Sequence, residues 1–283
     1  MNIYICVLLF IKTVSSKIET VQRLSNAELD EHTRVTNSHV FPYVVAILQR
    51  SKYVSAGALI DENWILTAAD GLFLMRETLK LVKVRLGSIN YKKGGLLLPA
   101  KLIQIHPYFD DKSPIFDVAM VQLAETLRFT PKIKAIRLQK TFMDVAATHF
   151  IVTSWNPSLK QKPKHPESME AIERRRMLTV THLHPSEVEE CAAELDAYGV
   201  NKTDLIMCLD PPGGSEICVE NRNVGAPVVL NGVLWGVVSS WKTSDCDQGA
   251  VGPSFVTRVS APDVTSWIHA TLHGHRWKHK SNE

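Results

Sequence analysis

A chain of 283 residues with 45% hydrophobic and 22% charged side chains carries enough apolar surface for a sizeable core, which excludes intrinsic disorder and a collagen-like fibre. Its formal net charge of +3 is too small to imply, by itself, a nucleic-acid partner. One globular module is expected.

The chain opens on an apolar run at 3–11, too short to span a bilayer, followed by small residues at Val14-Ser15-Ser16 that suit signal cleavage. Residues 1–16 therefore read as a secretory signal peptide, with a buried N-terminal strand as the alternative because no basic residue precedes the run. Residues 17–40 read as a leader. Short, β-branched, turn-bounded runs then recur at 43–48, 55–60, 64–69, 81–86, 97–105 and 118–123. A second set falls at 149–155, 177–183, 205–209, 226–230, 233–239 and 255–259. Asn231-Gly232 is a strong two-residue hairpin signal between two of them. Helices are expected at 185–195, with Pro185 in the first turn, and at 261–272, with Trp267 and Ile268 facing inward. Evenly spaced strands point to an all-β barrel architecture. No solenoid-length repeat or low-complexity tract interrupts it.

Four cysteines lie beyond Cys6: Cys191, Cys208, Cys218 and Cys246, an even number that permits three pairings and fits an exported, disulfide-bonded chain.

Several landmarks occur in order. Phe41-Pro42-Tyr43-Val44-Val45 opens a strand, and Trp64-Ile65-Leu66-Thr67-Ala68-Ala69 leads into Asp70-Gly71. Phe116-Asp117-Val118-Ala119-Met120, Val224-Gly225-Ala226-Pro227, Asn231 through Trp241 and Thr257-Arg258-Val259 follow. This series resembles the chymotrypsin/trypsin-like serine protease family over 41–272. The resemblance implies two six-stranded antiparallel β-barrels, with a boundary near 139–145, and a C-terminal helix; beyond its span, 273–283 reads as a basic tail. The resemblance also implies the pairs Cys191 with Cys208 and Cys218 with Cys246. Two family bridges are absent with both partners, at Ser55/Gly71 and at Phe150/Leu230.

The resemblance assigns the triad's histidine, aspartate and serine positions to Asp70, Asp117 and Val224. An isopropyl group cannot attack a carbonyl, and a short carboxylate is no imidazole base. The loop from Cys218 to Pro227 is two residues longer than the family's C-x-G-D-S-G-G-P and carries Arg222 where a glycine amide would face the oxyanion. Arg34-Val35-Thr36-Asn37 matches the family's activation cleavage poorly, and Asn223 offers no charge for a new α-amino group. Arg34 therefore reads as an ordinary surface residue. These substitutions lead to the expectation that the chain is not an enzyme but an inactive protease homologue. Glu216, Trp241, Lys242 and Asp245 mark a remnant of the specificity pocket, with Lys242 expected to fold over its entrance towards Glu216.

Other residues carry bland readings. The close carboxylates Asp70 and Asp117 require one to be protonated, turned outward or bridged by a cation, and an outward Asp70 is the simplest outcome. No metal or other cofactor is expected: His182 and His184 alternate on one strand face but lack further ligands, and His106 reads as structural. Asn201-Lys202-Thr203 is a glycosylation sequon at Asn201. The basic cluster of Lys160, Lys162, Lys164 and Arg174 to Arg176, with the tail, could meet an acidic polysaccharide, although Glu167, Glu170 and Glu173 interrupt its charge.

The function expected is that of a secreted, extracellular binding or regulatory module with a protein partner, such as a protease, an inhibitor or a receptor. It would act as a cofactor or decoy in a proteolytic, immune or reproductive pathway. The alternatives are a serine-type endopeptidase with a relocated nucleophile and a heparin-like polyanion-binding protein. Neither nucleic acid nor a membrane span is expected.

Overall fold

Alternation at period two sorts the strands of the N-terminal half between two apolar environments. The computed structural model describes residues 33–141, 149–155, 168–200, 204–210, 224–242 and 253–280. After β1 (Thr33–Arg34) come β2 (Val44–Gln49), β3 (Lys52–Leu59), β4 (Trp64–Thr67), β5 (Val82–Leu86), β6 (Leu96–Ile105) and β7 (Ala119–Leu123). They close as a barrel in the order β2-β3-β4-β7-β6-β5. On β2, Val45 and Ile47 point into the barrel with Leu59, Ile65, Val84 and Val121. Val44, Ala46 and Leu48 point out of it and pack with Trp64, Trp155 and Phe255 in a second core. Strands buried on both faces read as continuous apolar runs, which is why the segment 44–48 carries no polar residue.

The C-terminal half repeats the plan with β8 (Arg137–Leu138), β9 (Phe150–Trp155), β10 (Leu178–Pro185), β11 (Ile206–Asp210), β12 (Pro227–Leu230), β13 (Val233–Lys242) and β14 (Ser254–Arg258). The order β9-β10-β11-β14-β13-β12 closes through the pairing of β12 with β9. Phe150, Val152, Leu183, Met207, Val228 and Val256 fill its interior. β1 adds antiparallel to β10, and β8 adds parallel to β13. The two closed barrels expected from the sequence are therefore present, and each removes the exposed sheet edges that invite association.

The helical segments among the described residues are α1 (Asp70–Phe73), a 3-10 segment (Leu74–Leu81), α2 (Met169–Arg175), α3 (Val188–Asp196) and the longer closing α4 (Pro262–Lys280). Two differ from expectation. Pro185 ends β10 rather than starting a helix, because the 186 amide bonds back to the Cys208 carbonyl and the chain stays extended through Glu187, the residue before α3. α4 runs past its expected end at 272 to Lys280. The inward pair behaves as expected, with Ile268 buried and Trp267 packed against the inter-barrel core. Cys191 on α3 is bonded to Cys208 on β11, with Cα atoms 5.6 Å apart. A bridge closing a loop of that size stabilises by about 3 kcal/mol, in the chain-entropy account by restricting the unfolded chain. Cys218, Cys246 and Asn201 lie outside the described residues.

His106 sits where the first barrel meets α4. Its ring stacks on Phe116 at 4.4 Å and meets Trp267 edge-on at 4.9 Å. Burial pushes this imidazole below its ordinary range, and Asp263, which would favour the charged form, only partly opposes that. Burial also lowers His182, with His149 and His184 acting in the same direction. The sign is fixed: the unfolded chain takes up these protons first as pH falls, so stability is complete above the ordinary imidazole pKa and is lost below it. Urea midpoints are expected to fall between about pH 7.5 and pH 5.5, on either side of that pKa. His106→Phe, which keeps the stacking, should show a smaller fall. An identical pH dependence in the variant would assign the effect to other groups.

Candidate active site

Asp117 lies between the barrels with no exposed surface. Its approach is unusual, because Phe116 just before it holds a left-handed φ of 57°. Such a conformation costs a non-glycine residue roughly 1–2 kcal/mol. The stack on His106 and the 2.6 Å bond from the Val118 amide to the Phe116 carbonyl offset that cost and aim the next side chain inward. Asp117 Oδ1 accepts from the Ala69 amide at 2.6 Å and the Asp70 amide at 2.8 Å, both at the start of α1. Oδ2 accepts from Ser239 Oγ of β13 at 2.5 Å. Thr257 Oγ1 of β14 donates to the Asp117 carbonyl at 3.1 Å. One residue thus clamps the β4–α1 corner of the first barrel to two strands of the second. A buried carboxylate is tolerable only with such a set of donors.

Asp70 meets Asp117 through its backbone alone. Its side chain is exposed, so the two carboxylates are kept apart in the way the sequence suggested, by turning one outward. Val224 is 7% exposed, and its methyl Cγ1 stands 3.7 Å from the position a Cβ on Gly71 would take. Its carbonyl accepts from the Ala56 amide at 2.9 Å, which ties the 224–225 turn to β3. Gly225 continues that turn with φ +71°. Asp70, Asp117 and Val224, scattered over 155 positions of sequence, are therefore gathered at one seam.

Ser239 and Thr257 are the contributors that sequence reasoning missed. Both fall inside stretches carrying the family resemblance, yet a hydroxyl on a strand gives no sign of which acid it will meet. Of the specificity-pocket remnant, Glu216 and Asp245 lie outside the described residues, as do the side chains of Trp241 and Lys242. The expected contact between Lys242 and Glu216 therefore also falls outside them. His149 joins His182 and His184, with ring centres 5.1 and 6.4 Å away. No group of three or more potential ligands is placed to hold a metal among the described residues. Nor is any helix among them long and apolar enough to cross a membrane.

A family model described as Trypsin matches residues 31–268, a span that holds all three seam residues and every strand of both barrels. The chain belongs to the trypsin family. It is 27% identical to a trypsin of Sarcophaga bullata over 237 residues, covering 83% of this chain and 86% of that one. It is 29% identical over 231 residues to Trypsin Blo t 3 of Blomia tropicalis, covering 80% of each. Among solved structures, the scabies mite inactivated protease paralogue S-D1 superposes with a TM-score of 0.68 at 19% identity, covering 86% of this chain and 97% of that one. At that identity the likeness is one of fold.

Membership of the trypsin family corrects one expectation. The residues at 70 and 224 led to the reading that the chain is not an enzyme. The relatives it matches over four-fifths of its length are named for a peptidase, and the family match runs through the seam itself. That reading is withdrawn.

Proposed function

We propose that this trypsin-like domain works as a secreted binding and regulatory module that holds a protein partner, whether protease, inhibitor or receptor, in a proteolytic, immune or reproductive setting. The observation that carries the reading is the use made of Asp117. Its carboxylate is engaged by Ala69, Asp70 and Ser239 across the barrel seam, while the Asp70 side chain faces solvent and Val224 packs beside Gly71. The seam so built favours rigidity, and loops fixed on a rigid scaffold are where recognition resides. The Cys191–Cys208 bond supports an oxidising, extracellular setting.

A second reading, a serine-type endopeptidase with its nucleophile elsewhere in the chain, is favoured by the names of the relatives. The polyanion reading loses support at its own cluster, because Arg174 pairs with Glu170, Arg176 with Glu173, and Glu173 also with Lys93.

The experiment compares the purified chain with and without fluorophosphonate treatment, following peptide turnover and capture of a partner from the native fluid. An equimolar partner retained equally by treated and untreated protein is the expected result. Capture lost on treatment, with labelling of a serine whose replacement abolishes turnover, would establish the endopeptidase instead.

A further inference from the structure

The outer face of the first barrel carries a recess of about 310 Å³ that shares no lining residue with the Asp117 seam. Its wall includes Arg50, Lys80, Lys83, Arg85 and Lys92 and no acidic residue. Four segments supply these cations: the β2–β3 hairpin, the end of the 3-10 segment, β5, and the turn after it. Like charges gathered around one cavity repel each other, and an anion entering it relieves that repulsion.

The recess is built rather than incidental. Arg50 and Ser51 form the two-residue hairpin turn with φ of 47° and 68°, a left-handed pair usually given to asparagine and glycine. The turn is held by the Arg50 amide on the Leu81 carbonyl at 3.1 Å and by Gln49 Nε2 on Thr78 Oγ1 at 3.0 Å. Arg85 Nε donates to the Tyr91 carbonyl at 2.9 Å, its Nη1 donates to the Gly94 carbonyl, and Lys92 Nζ donates to the Ser51 carbonyl. Two cations therefore shape the wall. Arg50, Lys80 and Lys83 remain, each exposed and none paired with a carboxylate among the described residues. This contrasts with Arg174 and Arg176, whose charges are met by Glu170 and Glu173.

We infer that this recess is a docking site for an acidic peptide segment bearing an apolar side chain, supplied by a protein partner. Charge complementarity sets the anionic part. The apolar part follows from the lining, where Leu48, Leu81, Tyr91 and Leu97 stand between the cations. Those groups would lie idle against a sulfated polysaccharide, which has no hydrocarbon side chain to bury there. The volume is at the small end for ligand pockets, room for one or two side chains rather than a run of sugars. The inference rests on the binding role proposed above and names where and what the domain would bind.

The probe is a fluorescein-labelled peptide of glutamates flanking one phenylalanine, titrated against the intact chain by anisotropy at about 0.05 M salt, where screening acts over more than about 10 Å. Saturable binding is expected, weakened at least about tenfold by Arg50→Glu with Lys83→Glu, and by a similar factor when the peptide's glutamates become glutamines. Replacing phenylalanine by alanine should weaken it several-fold. Arg174→Ala with Arg175→Ala should leave it unchanged. No binding, binding indifferent to the charge reversal, or a heparin hexasaccharide that binds the recess more tightly than the peptide would overturn the assignment. Failure here with a partner still captured leaves the binding role standing and moves its surface elsewhere. Fluorophosphonate-sensitive turnover with peptide binding intact removes that role and leaves the recess as a site.

Discussion

Asp117→Ala is expected to destabilise the domain by about 4 kcal/mol, within the range for breaking a buried, hydrogen-bonded charge network. The substitution removes the oxygen that the Ala69 and Asp70 amides reach at 2.6 and 2.8 Å and the one that Ser239 Oγ reaches at 2.5 Å. A buried donor left unmatched costs about 1–3 kcal/mol, and bonds to a charged acceptor lie at the stronger end of the scale. Asp117→Asn separates shape from charge. Its carbonyl can still accept from both amides and Ser239 can turn from donor to acceptor, so about 1–2 kcal/mol is expected. Urea denaturation of the three proteins checks this. Equal losses in Ala and Asn, or a loss below about 1 kcal/mol in Ala, would mean that the clamp contributes little. Because the donors come from both barrels, the alanine variant should also lower the cooperativity of unfolding, seen as separated transitions of Trp64 in the first barrel and Trp155 in the second.

The same residue shows what a sequence can and cannot disclose. The strands were legible because β-branched runs bounded by turns encode burial directly, and their grouping into two barrels is the one the family resemblance implied. Pro185 was misplaced because a proline suits a helix's first turn and a strand's end equally well, and only the Cys208 carbonyl decides between them. α2, Met169–Arg175, is not among the helices expected from the sequence, which were placed at 185–195 and 261–272. It has no buried residue, and its stability comes from the Ser168 cap and ion pairs that periodicity does not register. At the seam, positions 70, 117 and 224 were identified from the family resemblance. That Asp70 would offer its amide inward and its carboxylate outward depends on α1 beginning there, and a helix of four residues leaves no pattern. The basic recess was invisible for a plainer reason. Its cations come from separate segments across 50–92, and nothing in their linear order marks them as neighbours.

Gly225→Ala is expected to cost about 4 kcal/mol, most of it from what surrounds the turn. Gly225 and Gly232 share the same φ of +71°, so an alanine at either meets the same backbone penalty, about 1 kcal/mol for a single left-handed residue. Their neighbours differ completely. A Cβ at 225 would stand 2.2 Å from Thr67 Oγ1 and 2.4 Å from the Ala56 carbonyl oxygen, whereas at 232 nothing lies within 4 Å. Thr67 Oγ1 is itself bonded to that carbonyl at 2.6 Å, and the Ala56 amide holds the Val224 carbonyl at 2.9 Å, so neither obstacle can retreat without breaking the contact between the turn and β3. Overpacking of this kind adds roughly 1–3 kcal/mol to the backbone term, and the severed bonds add more. Gly232→Ala is therefore the internal control, and the difference between the two variants in urea midpoint measures the steric term alone. Should both lose the same amount, the close approach of Gly225 to β3 is not what holds Val224 at the seam.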